Sequence, residues 1–484
     1  MAGAYLAAAG INLDEEMSKI QFGSLPTAPQ SSSPFYPPQT SQSSSAVRPP
    51  LSRALTKVLG VRLPRKPSST LWDVSISDGV VEAVTPHDPA ARLGLRPTSS
   101  ILDAHEAFLA PSLCHAHIHL DKPFLLSDSK FSDLSITDGS FDEAMTLTTA
   151  AKERFEEEDL LRRGRALIEE SLAFGVTAMR AFVEVDGTVG MMDLDAGLKL
   201  KREFEGRCEV QIVAFAQLAL FSGRNGGEEV RRLMREAAGR EGVDVVGSTP
   251  YVEADLDREK QNLKWIFDLA LEKGKMLDLH IDYHLDVEKE PLVWDALEVL
   301  REVNWEGKAG KSVCMGHCTR LTLFEESEWR RLRESIGSMP VSFVGLPTSD
   351  LYMMRTQDGR KGTLNVSEMI EKYGFQAAVA VNNVGNAYTP QGSSDPLSVA
   401  SLGVGVYQAG TKKDADVLYE CVSSRAKHML GLAHSSLDLL PGEPADFVLF
   451  EREEVAWRTK KSIAEVVYDP QSRRRTIKGG RLVA

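Results

Sequence analysis

The sequence has 484 residues, of which 42% are hydrophobic, and a formal net charge of -13 at pH 7. This length exceeds one ordinary domain, although an α/β barrel can use about 250 residues as a single unit. The negative charge argues against a protein that binds nucleic acid or anionic lipid, and no apolar run reaches the ~18 residues of a membrane span. Five cysteines in a long chain indicate a reducing compartment, with the cytoplasm as the default location.

Composition separates an N-terminal extension, residues 1–69, from the rest of the chain. The stretch from Gly23 to Pro50 is rich in Ser, Pro, Gln and Thr. It offers little apolar surface to offset the entropy of ordering, so we predict that it is disordered. The stretch from Leu51 to Arg65 mixes leucines with basic residues, and we interpret it as a solvated linker.

Residues 70–108 and 436–484 predict a small β-sandwich that both ends of the chain assemble. From Trp72 to Val84, apolar and polar residues alternate around Asp78 and Gly79, a pattern that is typical of two strands joined by a tight turn. The C-terminal counterparts are Ala445–Phe450, Ala464–Tyr468 and a strand pair that is interrupted at Gly479 and Gly480.

Residues 109–435 alternate between strand-like apolar runs and stretches with helical spacing. Regular alternation of this kind favours a parallel sheet, and eight repeats favour its closure, so we predict a (β/α)8 TIM-type barrel. The eight predicted strands are the run from Phe108 into the histidines at 115–119, Gly175–Glu184, Cys208–Gln217, Val243–Gly247, Met276–Asp282, Ser312–His317, Pro340–Gly345 and Ala377–Val381.

Three histidines, His115, His117 and His119, end the first strand of the predicted barrel. Alternate residues of a strand share a face, so the spacing predicts all three on one face, with His117 and His119 side by side. Such a pair could hold a divalent metal ion if other strands supply further ligands. The alternative is that they are hydrogen-bonded core residues, but three histidines in five positions favour the metal site.

Side chains at the C-terminal ends of the strands meet at one mouth of such a barrel, where these barrels carry their active sites. Histidines end three of the predicted strands, which is a pattern typical of a metal site. After His117 and His119, the polar residues at these ends are Gln217, His280 with Asp282 on the same face, His317, and Asn382 with Asn383.

At these positions the sequence resembles the amidohydrolase superfamily and, within it, the cytosine deaminase-like branch. The resemblance runs from about Trp72 to the C terminus, and it implies an α/β barrel flanked by a small β-sandwich. The motifs that carry it are His117–Asp121 followed by Lys122, Gly175–Thr177 with Arg180, Val213–Gln217, Asp278–Asp282, Gly316–His317 and Pro441–Asp446.

The resemblance also implies roles for individual residues. His117, His119 and His280 would bind one divalent metal ion, either zinc or iron. His317 would hydrogen-bond the reactive water at that ion, and Gln217 would bind the amide-like edge of a small-molecule substrate.

Two residues depart from the pattern of that branch. Tyr283 stands where these deaminases have a proton-shuttling glutamate, and Asn382 stands where they have a metal-binding aspartate. A tyrosine with an ordinary pKa of about 10 is a poor proton shuttle near neutral pH, so we do not expect ordinary cytosine deamination. Asp282, on the face of His280, and Asp350, just past the seventh strand, are our candidates for a replacement base. The alternatives are that Asp282 supports the metal ligands and that Asp350 caps a loop, and for Asp350 we prefer the loop cap.

We therefore predict a metal-dependent amidohydrolase-like hydrolase of a C–N bond in a small heterocycle or amide, with altered proton-transfer residues. Its catalytic residues would be His317, Tyr283, Asp282 and Asn382. Two alternatives stay open: a non-hydrolytic isomerase or cyclase with Tyr283 as the acid, and a catalytically inactive homologue that binds a ligand or partner. We expect a small-molecule substrate, no nucleic acid and no membrane; a homo-oligomer is compatible with the sequence.

Overall fold

The computed structural model describes residues 53–89, 100–308 and 311–484. The predicted disorder of residues 23–50 lies outside the described residues. The strands are β1 (Arg53–Ala54), β2 (Lys57–Val61), β3 (Trp72–Ser77), β4 (Val80–Pro86), β5 (Ile101–Asp103), β6 (Phe108–Pro111), β7 (Leu113–His119), β8 (Val176–Glu184), β9 (Glu209–Ala216), β10 (Val243–Ser248), β11 (Met276–Ile281), β12 (Val313–His317), β13 (Val341–Gly345), β14 (Ala377–Val379), β15 (Phe447–Phe450), β16 (Arg474–Lys478) and β17 (Arg481–Leu482). The α-helices are α1 (Phe141–Lys152), α2 (Glu157–Ala173), α3 (Met192–Glu203), α4 (Glu228–Ala238), α5 (Leu256–Lys273), α6 (Val293–Glu302), α7 (Trp305–Lys308), α8 (Glu326–Ile336), α9 (Pro347–Met353), α10 (Val366–Tyr373), α11 (Pro396–Val406), α12 (Lys412–Cys421), α13 (Ser424–Met429) and α14 (Ile463–Tyr468).

Eight parallel strands, β7 to β14, form a barrel in which each strand pairs with the next. The barrel closes just beyond the end of β14, where the amide of His119 donates to the carbonyl of Asn382 at 2.8 Å and the amide of Asn382 donates to the carbonyl of His117 at 3.3 Å. At least one helix follows each strand along the chain before the next begins. The predicted (β/α)8 barrel is confirmed.

The two ends of the barrel differ in what fills them. Small apolar side chains such as Ala116, Ala178 and Ala378 occupy the lower interior and pack against α13. Helix α13 lies at the N-terminal ends of the strands, where the side chain of Gln211 donates to the carbonyl of Leu430 at 2.7 Å. That end is therefore filled and covered, and the histidines at the C-terminal ends of β7, β11 and β12 lie at the opposite mouth.

Two further sheets form the predicted β-sandwich from both ends of the chain. One has the strand order β1-β17-β16-β15-β6 and the other has the order β4-β3-β2-β5. Asp78 and Gly79 join β3 to β4 with φ angles of 49° and 79°, the left-handed values that a tight hairpin turn requires. The core of the sandwich includes Val58, Val74, Ile76, Leu109, Phe447, Leu449 and Ile477.

The interpretation of Leu51–Arg65 as a solvated linker is wrong over its described part. Strand β2 pairs with β3 in the antiparallel sense and with β5 in the parallel sense. Its apolar side chains Val58, Leu59 and Val61 are buried. The basic residues around this short run obscured its strand character in the sequence.

The prediction of a strand at Ala464–Tyr468 is also wrong, because this segment lies in helix α14. Ser462 caps the helix, and its hydroxyl accepts the amide of Glu465 at 3.3 Å. Buried positions follow the helical spacing rather than strand alternation. The buried residues are Ile463, Ala464, Val466 and Val467.

The apolar run that begins at Phe108 forms two strands instead of one. Strand β6 pairs with β15 in the sandwich, whereas β7 begins the barrel. Between them, the amide of Ser112 donates to the carbonyl of Asp446 at 3.0 Å. The sandwich therefore extends to Pro111, slightly beyond the predicted boundary after Phe108.

Candidate metal centre at the barrel mouth

One extra residue in β7 decides which of its histidines face the barrel interior. Between His115 and Ile118, three residue steps along β7 match two along β8. An irregularity of this kind reverses the alternation of side chains. His115 therefore faces the helix layer, with Nε2 lying 3.1 Å from Oγ of Ser171 in α2. The prediction that all three histidines share a face is wrong for His115, whereas His117 and His119 face inward together.

The structure brings His117 and His119 of β7 together with His280 of β11. Their ligand atoms all lie within 4.8 Å of one another, and Nε2 of His119 lies 3.3 Å from Nε2 of His280. Phe182 and Phe215 pack against the rings, with centroid distances of 4.0 Å from Phe182 to His117 and 4.4 Å from Phe215 to His280. The three histidines predicted as metal ligands thus form one cluster.

The chemistry of this cluster fits a metal ion. Both ring nitrogens of His117 and the Nδ1 atoms of His119 and His280 are buried without a hydrogen-bond partner among the described residues. Burial lowers the pKa of each of these imidazoles well below 6.5. Metal ions bind neutral imidazole, and unpaired buried polar atoms are costly. The cluster could therefore hold one divalent metal ion.

His317 lies beside this cluster at the end of β12, with its ring centroid 5.1 Å from that of His280. Its Nδ1 lies 2.7 Å from Oδ1 of Asp350 in α9. Asp350 is fully buried, and burial raises the pKa of its carboxyl. The interpretation of Asp350 as a loop cap missed this contact, because no sequence pattern connects residues on β12 and α9.

Asp282 does not face the cluster, so the prediction that it acts as a replacement base beside His280 is wrong. Strand β11 ends at Ile281, and Asp282 has a φ of 53°, which breaks the alternation. Its carboxylate accepts the amides of Leu292 at 2.8 Å and Val293 at 3.0 Å, at the start of α6. Burial raises the pKa of Asp282 to about 7. The Asp282 side chain therefore caps the start of α6.

Gln217, Tyr283, His317 and Asn382 all line one small cavity at the barrel mouth. The Tyr283 ring lies against the His317 ring, with centroids 3.7 Å apart. Nδ2 of Asn382 donates to Oγ of Ser349 at 2.8 Å, while its buried Oδ1 has no partner among the described residues. The cavity is lined by His119, Lys122, Phe141, Gln217, Tyr251, His280, Tyr283, His317, Asn382, Asn383 and Tyr388.

The cavity has aromatic walls that the sequence did not reveal. The ring of Phe141, at the start of α1, lies 6.1 Å from that of Tyr283 and 6.0 Å from that of Tyr388, centroid to centroid. The Tyr251 ring lies 5.7 Å from that of Tyr283. These residues come from four separate segments of the chain, so only the fold connects them. Among the described lining residues there is no carboxylate.

A buried ionic network that the sequence analysis also missed adjoins the cavity. Lys122 and Lys152 both donate to the carboxylate of Glu184, and Lys152 also donates to Asp186. Burial disfavours ionisation of Glu184, but the two lysines lower its pKa to about 2. Glu184 ends β8, so the rule that selected the other strand-end residues could have found it.

The fold and the site together define a TIM-type barrel whose mouth carries a histidine cluster that could hold a metal ion. The model of the Amidohydrolase family matches residues 108–483, and the chain belongs to this family. It is 22% identical over 382 residues to N-isopropylammelide isopropyl amidohydrolase of Pseudomonas sp. (strain ADP), covering 79% of this chain and 87% of that protein.

Solved structures show the same fold. The crystal structure of 5-methylcytosine deaminase from Klebsiella pneumoniae, liganded with 5-fluorocytosine, matches with a TM-score of 0.74 and 22% identity, covering 88% of this chain and 97% of that one. N-isopropylammelide isopropylaminohydrolase from Burkholderia multivorans matches with a TM-score of 0.67 and 22% identity, covering the same shares of the two chains. Family membership and these neighbours support a hydrolase that acts on C–N bonds.

Proposed function

We propose that the protein is a metal-dependent hydrolase of a C–N bond in a small heterocycle or amide and that its proton-transfer residues are altered. The observation that carries this proposal is the cluster of His117, His119 and His280, in which four buried ring nitrogens lack a partner among the described residues. The relatives are named for 5-methylcytosine and N-isopropylammelide, which makes these two compounds suitable probes.

Several polar groups at the cavity have a proposed part in this reaction. When bound by the three histidines, zinc or iron would supply Lewis acidity and make the attacking water more acidic. Gln217 carries an amide that can pair with the amide-like edge of a substrate. Tyr283 and Asn382 face the same cavity, and Tyr283 keeps its proton because burial raises its pKa well above 10. A neutral phenol there can donate a hydrogen bond to a developing charge.

A single preparation of the full chain can test the metal and the reaction together. We expect stoichiometric zinc or iron by mass spectrometry, and hydrolytic amine release measured as isopropylamine from N-isopropylammelide. We expect little or no ammonia from 5-methylcytosine, because Tyr283 stands where the deaminases have a proton-shuttling glutamate. His119→Ala should lose both the metal and the amine release. Wild-type protein that takes up no divalent metal would contradict the proposal.

A non-hydrolytic isomerase or cyclase is a second candidate, favoured by the absence of a carboxylate from the described cavity lining. In that reaction Tyr283 would act as the acid. Reaction in heavy-oxygen water separates the two candidates, because a hydrolase incorporates solvent oxygen into its product and an isomerase does not.

The same absence favours a third candidate, a catalytically inactive homologue that binds a ligand or partner. For such a protein, His119→Ala would leave any cellular role intact. A loss of that role on substitution of His119, with the fold unchanged, would exclude it.

We also propose that the protein is cytoplasmic. All five cysteines are buried and free, which suits a reducing compartment. Over the described part of the chain, no helix combines the length and the apolar character that crossing a bilayer requires. A homo-oligomer remains compatible with the sequence, and light scattering of the purified chain would determine its state.

A further inference from the structure

Asp350 is a carboxylate at the mouth of the barrel that lies behind His317, a residue that lines the cavity. The described cavity lining contains no acid, yet hydrolysis requires a group that orients the attacking water. His317 lines the cavity, and the fully buried Asp350 lies on its far side. The two therefore form a pair that points from the protein interior toward the cavity.

The contacts of Asp350 fix both of its oxygens. Oδ1 lies 2.7 Å from Nδ1 of His317. Oδ2 accepts the hydroxyl of Thr363 at 2.8 Å and the amide of Leu346 at 3.2 Å. Since Oδ2 already accepts two donors, the carboxylate cannot rotate without losing them, and Oδ1 stays directed at His317.

The ring of His317 is held on its face as well as at Nδ1. Tyr283 packs against it with a centroid distance of 3.7 Å and an interplanar angle of 30°. With the ring plane and Nδ1 both fixed, Nε2 is left for the cavity that His317 lines. A neutral imidazole protonated at Nδ1 is an acceptor at Nε2.

We propose that Asp350 is a positioning residue that holds His317 in the Nδ1-protonated tautomer, so that Nε2 accepts a hydrogen bond from the attacking water. The identity of that water rests on the proposed hydrolytic function, whereas the tautomer follows from the contacts of Asp350 alone. Through His317, Asp350 thereby orients the attacking water. Neither Tyr283 nor Asn382 carries a carboxylate that could do so.

Substitution of Asp350 by asparagine should change the tautomer of His317 in a specific way. The backbone amide of Leu346 can only donate, so the side-chain oxygen of Asp350→Asn stays at the Oδ2 position. Its NH₂ group then faces Nδ1 of His317 and donates to it. The variant should therefore reverse the tautomer and place the proton on Nε2, as occurs when an aspartate that orients a catalytic histidine is changed to asparagine.

Nitrogen-15 NMR of zinc-loaded protein with labelled histidine measures this directly. Comparison with His317→Gln assigns the His317 signals, and mildly alkaline pH keeps free imidazoles neutral. We expect a proton on Nδ1 and a bare Nε2 in the wild type, and the reverse in Asp350→Asn. A proton on Nε2 of the wild-type residue, or an unchanged tautomer in the variant, would overturn the proposal.

Two controls separate positioning from a general loss of structure. Thr363→Val removes one donor to Oδ2 but leaves the carboxylate, so it should keep the wild-type tautomer. Asp350→Asn should still bind zinc, because it leaves His117, His119 and His280 in place; loss of zinc would show a structural role instead.

With either probe that the wild type hydrolyses, kcat of Asp350→Asn should fall about 100-fold or more while KM changes little. A rise in KM at unchanged kcat would contradict positioning. If neither probe reacts, that result counts against hydrolysis of these two compounds only, and the tautomer measurement by itself decides the role of Asp350.

Discussion

Nε2 of His119 lies 3.3 Å from Nε2 of His280, although 161 residues separate them along the chain. Two neutral imidazoles that face each other with unprotonated nitrogens would place lone pair against lone pair. A cation shared between them, with His117 as the third ligand, removes this repulsion. The parallel barrel creates the arrangement, because β7 and β11 both end at the same mouth.

His119→Ala should abolish stoichiometric metal binding. Removal of one of three imidazole ligands leaves the remaining two unable to fix a divalent ion tightly. Metal content by mass spectrometry measures the effect, and thermal unfolding supports it: zinc at 100 times its Kd should stabilise the wild type by about 2.7 kcal/mol and the variant by much less. His428→Ala, which alters an exposed histidine of α13, is the matched control and should bind metal as the wild type does. Equal metal content in both variants would contradict the assignment.

The double substitution Tyr283→Glu with Asn382→Asp should create or raise deaminase activity toward 5-methylcytosine. It returns a carboxylate to each of the two positions where the chain departs from the deaminase-like pattern. A positioned acid–base group contributes about 10²- to 10⁴-fold, and ammonia release measures the gain. Tyr283→Gln with Asn382→Asp is the control, since glutamine has nearly the same shape but cannot transfer a proton. No gain over background would show that these two positions do not control the reaction.

Most of the fold was predictable because its signals are local. Each buried barrel strand is a short apolar run between helical stretches, and β7 to β14 all fall where the alternation predicts them. The errors come from segments whose local pattern is ambiguous. Strand β2 is short and flanked by basic residues, and the apolar residues of α14 fit a strand until the cap at Ser462 is considered.

The metal cluster was predictable because the ends of parallel strands converge, so His117, His119 and His280 could be placed together without coordinates. Side-chain direction was harder to predict, since one extra residue in β7 turned His115 outward and a left-handed φ turned Asp282 away. Contacts between distant elements carry no local signal at all.

Glu184→Gln should destabilise the protein by about 3–5 kcal/mol, because it leaves the buried ammonium groups of Lys122 and Lys152 without their shared carboxylate. Urea unfolding measures the change. Glu203→Gln breaks an ion pair with Arg165 in which both side chains are at least 40% exposed, and it should change stability by less than about 1 kcal/mol. Equal effects of the two substitutions would mean that the buried network contributes no more than a surface pair.

Below about pH 6.5, the free energy of unfolding should depend less steeply on pH in His115→Gln than in the wild type. Burial lowers the pKa of His115 from 6.5 to about 3, so between these values the unfolded chain binds a proton that the folded protein does not. Stability therefore falls as pH drops through this window, by about 1.4 kcal/mol per pH unit for one such group. Glutamine can keep the contact with Ser171 but does not titrate, and the other buried histidines contribute equally to both proteins. Urea unfolding at a series of pH values should show the wild type losing stability more steeply than the variant, and parallel profiles would mean that the pKa of His115 is the same in the folded and unfolded states.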